Sequence, residues 1–139
     1  MLSRSELIDT LAGLALFADL SRPQLEAVAH TFEEEYFADA QRILRQGFSG
    51  SNLYVVLSGQ AAVHVDGTQR ATLSRGDFFG EISVLLGEPP AADVVALGPL
   101  RCLALPGSEV ERFLLTYPHV LYRMLQAEAR RVRAANLWR

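Results

Sequence analysis

Between Ser5 and Leu16 the apolar residues Leu7, Ile8, Leu11, Leu14 and Ala15 recur at helical spacing, which predicts an amphipathic helix over residues 5–16 that tolerates Gly13. Ser21-Arg22-Pro23-Gln24 then combines an N-cap serine, an early proline and a glutamine three residues on. That capping-box pattern predicts a second helix through about His30. From Thr31 to Leu105 the pattern changes to short strands punctuated by Gly47, Gly59, Gly67 and Gly76, the signal of a small all-β sandwich or roll. Asp66-Gly67 lies between Ala62-Val63-His64-Val65 and Ala71-Thr72-Leu73 and reads as a hairpin turn, where glycine supplies the positive φ. After the strands, Ser108-Glu109-Val110-Glu111 reads as a further capping box opening a helix, which Pro118 interrupts or restarts. A last helix over about 118–137 places Leu121, Met124, Leu125, Val132 and Ala135 near one face, to pack on the roll or to meet a partner.

Composition narrows the class. With 139 residues, half of them apolar, the chain is expected to be one globular domain over 1–139: helices in 1–30, strands in 31–105, and helices in 108–139. A net charge of −3 points to neither a nucleic-acid nor a membrane surface for the chain as a whole. All thirteen basic residues are Arg, and they crowd the end: Arg123, Arg130, Arg131, Arg133 and Arg139 stand against Glu128 alone. A solvated helix face or a partner contact is the expectation there, ahead of nucleic acid. The apolar segment Leu11 to Ala18 is too short to span a bilayer and is flanked by Asp9 and Asp19, so a soluble, cytoplasmic protein is expected.

Catalytic chemistry finds little purchase. The single cysteine, Cys102, sits in an apolar strand and reads as a buried, inert thiol. Metal-dependent cupins share the jelly-roll architecture but need clustered ligands such as His-x-His with a carboxylate nearby. Here His30, His64 and His119 fall in separate elements, so no metal site is expected, and His64 reads as a solvent-facing strand residue. No Gly-x-Ser-x-Gly elbow, P-loop or dinucleotide fingerprint occurs, and neither catalytic residue nor cofactor is implied. Glu81 has no partner acid or nucleophile and reads as a hydrogen-bonding residue, not a general base.

Residues 76–96 carry the most information. A Gly-x-x-x-Gly-Glu segment at a strand end, followed by an apolar run able to start a short helix, presents free N–H groups that welcome an anion. The local charge opposes one: between Gly76 and Leu100 stand Asp77, Glu81, Glu88 and Asp93 with no Arg, Lys or His.

The same stretch resembles the signature of the cyclic nucleotide-binding domain family, shared by catabolite activator proteins, protein kinase A regulatory subunits and cyclic-nucleotide-gated channels. Gly76, Asp77, Phe79, Gly80, Glu81, Ile82, Ser83, Pro89, Ala92 and Val94 fall on its pattern. Leu16 to Ser21 resembles the family's lead-in segment, and Leu53-Tyr54-Val55-Val56-Leu57-Ser58-Gly59 its Leu-Tyr-x-Val strand. Gln46-Gly47 sits where the family has Glu-Gly-Asp, with Phe48 in the Asp position. The resemblance implies a jelly-roll-like β-roll, or double-stranded β-helix, with N-terminal helices and a C-terminal helix pair. It further implies a ligand cassette comprising Phe79, Gly80, Glu81, Ile82, Ser83, Pro90, Ala91, Ala92 and Asp93. In the family the glutamate holds the ribose 2′-OH, the amides after the glycine face the cyclic phosphate and an arginine neutralises it.

By register the arginine position is Pro90 and the Thr/Ser position is Asp93. Removing the partner of a buried charge costs about 3–5 kcal/mol, and each ~1.4 kcal/mol is tenfold in affinity. A carboxylate at Asp93 about 4–5 Å from a phosphate adds a repulsion of roughly 3–4 kcal/mol at an effective dielectric near 20. Two readings follow. Either an arginine from outside the cassette (Arg75, Arg101, Arg42 or Arg45) supports cAMP or cGMP, or the cassette is degenerate and takes an uncharged or cationic ligand, or none. The expected role is a non-catalytic regulatory or sensory module whose partner is a cyclic nucleotide, another small ligand or a protein. The family also implies a homodimer through the C-terminal helix; Trp138 reads first as a docking residue of the terminus, and second as an aromatic placed to cover a base. With no helix-turn-helix before Arg139, no direct DNA binding is expected.

Overall fold

The computed structural model of the chain describes residues 2–48 and 51–136. Helix α1 (Arg4–Ala12) starts at Ser3, whose hydroxyl accepts from the Glu6 amide while the Glu6 carboxylate accepts from the Ser3 amide. It stops at Gly13, and Ala15–Phe17 form a separate 3-10 turn, so the single helix expected over 5–16 is divided. The division lets Leu11, Leu14, Leu16 and Phe17 all reach the core, which one straight helix would not allow. Helix α2 (Arg22–Thr31) carries the expected Ser21–Gln24 capping box with Pro23 in its first turn.

Strands β1 (Glu33–Phe37), β2 (Arg42–Leu44), β3 (Asn52–Val65), β4 (Thr68–Leu73), β5 (Phe78–Phe79) and β6 (Asp93–Pro106) form one antiparallel system in the order β1-β6-β3-β4, with β2 on β6 and β5 on β3. β3 and β6 are its spine, running antiparallel from Asn52 opposite Pro106 to His64 opposite Asp93. Two register shifts, between Val56 and Ser58 and between Ser58 and Gln60, bend the pair in the middle. On each side of the bend the spine acquires different neighbours, β1 and β5 on one and β2 and β4 on the other, and the sheet curls into a β-roll. Asp66 (φ +51°) and Gly67 (φ +79°) make the tight β3–β4 turn. His64 alternates with Val63, which faces the roll interior, and is half-buried on the spine opposite Asp93.

The alternation of side chains along the spine makes two cores. Leu53, Val55, Leu57, Leu103 and Leu105 face the helices and pack with Leu11, Phe17, Val28 and Phe113. Tyr54, Val56, Cys102 and Ala104 face the interior of the roll with Leu44, Leu73, Phe79 and Val94. Both faces are covered, which explains why Leu53 to Leu57 read as an unbroken apolar run. Burial pushes the Cys102 thiol up to about 12, so the buried thiol is inert at neutral pH.

Helix α3 (Glu81–Leu86) lies between β5 and β6, and α4 (Gly107–Thr116) and α5 (Pro118–Asn136) follow the spine. The capping box expected at Ser108 does not form. The chain passes from β6 at Pro106 directly into α4, and the Gly107 amide donates to the Asn52 side-chain carbonyl at 3.4 Å. Helix α5 also departs from expectation, because its apolar residues divide between two faces. Val120 and Met124 are buried against the helical core, while Leu121, Leu125 and Val132 are left exposed. Residues 120 and 124 lie one turn apart, and residues 121, 125 and 132 project about 100° further round the axis. Arg123 fixes the helix with a two-pronged bond to Asp19, at 2.7 and 2.9 Å.

The bend tests the account of the spine. Gly59 has φ +85°, and a β-carbon there would lie 2.2 Å from the Pro99 carbonyl oxygen. Gly59→Ala is expected to cost about 2 kcal/mol or more, read as a lower urea midpoint with an unchanged denaturant slope.

Candidate functional site

Strand β5 delivers the site. Phe78 and Phe79 pair with Val55 and Tyr54 and point to opposite sides, Phe78 into the helical core and Phe79 into the roll, where it stacks on Tyr54 at 4.9 Å. Gly80 follows at φ +87°, and a β-carbon there would meet the Asn52 carbonyl oxygen at 2.0 Å. Only glycine lets the chain turn so close to β3. The turn sends Glu81 into a cavity of about 240 Å³ bounded by residues 78–83 and 90–92, by Leu44, Val63, Ala71, Leu73 and Val94 of the roll, and by Arg131 of α5.

Of the cassette positions, Phe79, Gly80, Glu81, Ile82, Ser83, Pro90, Ala91 and Ala92 all border this cavity. Asp93 does not. At the start of β6 it alternates with Val94, so Val94 faces the roll while the Asp93 carboxylate accepts from the Gln46 amide at 2.7 Å and lies 4.0 Å from Arg42 Nε. The repulsion expected from Asp93 is therefore corrected: its charge serves the β2–β3 loop, with a cation beside it. Pro90 is buried, has no amide hydrogen, and its carbonyl accepts from the Gly47 amide at 2.9 Å. The Ser83 hydroxyl donates to the Glu88 carbonyl, and Ile82 is half exposed at the rim.

None of the four substitute cations lines the cavity. Arg42 stands by Asp93, Arg45 is exposed, the Arg75 guanidinium lies near Gly13, and Arg101 lies over the Tyr36 ring at 5.3 Å. Trp138 and Arg139 lie outside the described residues. The cation that does enter is Arg131. Its guanidinium lies over the Phe78 ring at 4.5 Å, donates to the Phe78 carbonyl at 3.0 Å and to Glu128 at 2.8 Å, and reaches the Glu81 carboxylate at 3.5 Å. The sequence placed Arg131 and Glu128 only in the basic C-terminal stretch, read as a solvated helix face or a partner contact. The i,i+3 pairing of Glu128 with Arg131 was legible, but not the fifty-residue separation it closes to Glu81.

Glu81 is the one charged residue in the buried class among those described, at 3% exposure. Burial, and then the Glu128 charge, push its carboxyl up to about 7 against the pull of Arg131. Two carboxylates thus share one guanidinium. Among the described residues no three His, Cys, Asp or Glu side chains come together as a metal site, and no helix is long and apolar enough to cross a membrane.

A raised carboxyl makes the fold bind a proton that the unfolded chain releases. The resulting stabilisation is complete below the ordinary value of 4.5 and is lost as the pH rises to about 7. The difference in unfolding free energy between the unmodified protein and Glu81→Gln is expected to fall across that window. A flat difference would contradict burial as the cause.

Comparison with known proteins agrees with this geometry. A family model described as cyclic nucleotide-binding domain matches residues 34–117. A cGMP-dependent protein kinase of Eimeria tenella is 31% identical over 119 residues, which are 86% of this chain and 12% of that protein. The regulatory domain of Toxoplasma gondii PKA, solved with cAMP, superposes with a TM-score of 0.76 at 26% identity, over 91% of this chain and 50% of that one. The catabolite activator protein of Thermus thermophilus superposes with a TM-score of 0.77 at 30% identity, over 88% of this chain and 60% of that one. The roll, the Gly80–Glu81 turn and the matched residues together make this chain a member of the cyclic nucleotide-binding domain family.

Proposed function

We propose that the chain is a non-catalytic regulatory module that retains the family's cavity but does not hold cAMP or cGMP at useful affinity, with α5 as its moving part. One observation carries the reading. By register with the family the arginine position is Pro90, which borders the cavity, and among the described residues the only cation at the cavity, Arg131, is already bonded to Glu128 and to the Phe78 carbonyl beside Glu81. A phosphodiester entering there would meet the Glu81 carboxylate with no free cation. The output passes through α5 to a protein partner or a second copy, for which exposed Leu121, Leu125 and Val132 offer an apolar face. The two cores share β3 and β6, which supports reading the described residues as one folding unit.

A second reading is favoured by the same arginine. If Arg131 left Glu81 and turned to the phosphate, it would serve as the arginine from outside the cassette. Isothermal titration separates the two. Silence to millimolar cAMP and cGMP is the expected result, and micromolar binding lost in Arg131→Ala would establish the second reading instead.

The missing cation can also be restored. Pro90→Arg is expected to raise nucleotide affinity about a hundredfold or more, since returning a partner to a buried charge is worth about 3–5 kcal/mol. Asp93→Thr alone should give no gain, because that carboxylate faces Gln46 and Arg42. A gain from Asp93→Thr and none from Pro90→Arg would reverse this account of the site.

A further inference from the structure

The groups around the Arg131 guanidinium share one property: all of them accept. The Glu128 carboxylate lies at 2.8 Å, the Phe78 carbonyl at 3.0 Å, the Glu81 carboxylate at 3.5 Å, and the Phe78 ring presents its electron-rich face at 4.5 Å. Planar, delocalised cations with several N–H groups match such a cradle, because they hydrogen-bond in their plane and stack on an aromatic face. Beyond the cradle the walls are apolar, with Leu44, Val63, Leu73 and Val94 of the roll. When Glu81 is ionised, above about pH 7, two carboxylates against one guanidinium leave the cluster one positive charge short, and the carboxylate at its centre is buried.

We propose that this cavity recognises a guanidinium or amidinium group carried on an apolar body, and that Arg131 is the built-in occupant of that subsite, which such a ligand displaces. The inference rests on the reading above that the cavity is not a phosphate site. Displacement has a defined mechanical consequence. The first half of α5 is held by buried Val120 and Met124 and by the Arg123–Asp19 pair, none of which involves the cradle. Beyond Ala127, the Arg131 guanidinium bonds Glu81 and the Phe78 carbonyl and so ties the helix to α3 and β5. Glu128 is itself on α5 and stays bonded at the cradle, so filling the cradle from outside frees only the turns of α5 beyond Glu128 and leaves its start in place, and occupancy becomes a change in the exposed helical surface. The internal arginine also sets the threshold, because a ligand that must first displace it binds with its affinity reduced by the fraction of time the cradle is vacant.

Benzamidine and ethylguanidinium are suitable probes, read by isothermal titration against the unmodified protein, Arg131→Ala, and Arg131→Ala combined with Glu81→Gln. Thermal melting of each variant comes first. Arg131→Gln, which keeps the stem over Phe78, replaces the alanine variant if that one is not folded. Removing the internal competitor is expected to tighten benzamidine at least tenfold, and Glu81→Gln to abolish the gain. Amide hydrogen exchange should show residues 131–136 of the unmodified protein losing protection at saturating benzamidine while residues 118–126 keep theirs.

Equal benzamidine affinity with and without Arg131, a gain that survives Glu81→Gln, or unchanged exchange in 131–136 would overturn the inference. If cAMP and cGMP stay silent throughout, the proposed function stands without it. Nucleotide binding that appears in Arg131→Ala would overturn the proposed function and this inference together.

Discussion

The antiparallel pairing of β3 with β6 is the constraint on which the rest of the structure depends. Fourteen residues on each strand run side by side, bent in the middle by two register shifts. Because side chains alternate along a strand, this single pairing decides which residues face the helices and which face the roll. The same alternation governs the short neighbours. It puts Phe78 on the helical side and Phe79 inside, and it turns Val94 toward the cavity and Asp93 away from it. A slip of one residue would exchange each of these and dismantle the site along with the cores.

The site itself keeps the family's turn and buried glutamate, with an arginine from a helix beside them. The glycine turn at 80 and the buried glutamate at 81 are kept, and Gly80 is held by its close approach to Asn52, whatever ligand is present. The charges are placed differently: no arginine stands within residues 76–96, and the guanidinium at the cavity comes from α5 and pairs with the Glu81 and Glu128 carboxylates. A buried ion pair of this kind is weak evidence for added stability, since desolvation offsets most of the attraction. Its consequence is conformational: the end of α5 is tied to the very residue that the family uses for its ligand.

Several expectations failed for reasons that are local and physical. The capping box at Ser108 matched in sequence, but Asn52 from a neighbouring strand satisfies the first amide of α4, and the chain has already turned helical at Gly107. The first helix ended early because the residues after Gly13 must reach the core from a different direction. The penalty assigned to Asp93 assumed that a residue within a ligand cassette points at the ligand, whereas strand alternation turned it to the Gln46 amide.

Much of the molecule was legible from the order of residues. Periodicity marked the helices and strands, Asp66-Gly67 marked its hairpin, and Gly80-Glu81 together with the proline at 90 marked a cassette without its cation. These are properties of consecutive residues, where spacing alone carries the information. Arg131 could not be found that way, and neither could the direction of Asp93 nor the distance of Arg42, Arg45, Arg75 and Arg101 from the cavity. Each depends on where α5 or a strand face comes to rest against segments tens of residues away, which is decided by how the two cores pack. The order of residues specifies the roll and the missing cation of its cassette, while the packing of α5 against β5 and α3 brings Arg131 beside Glu81, because charges meet in space and not along the chain.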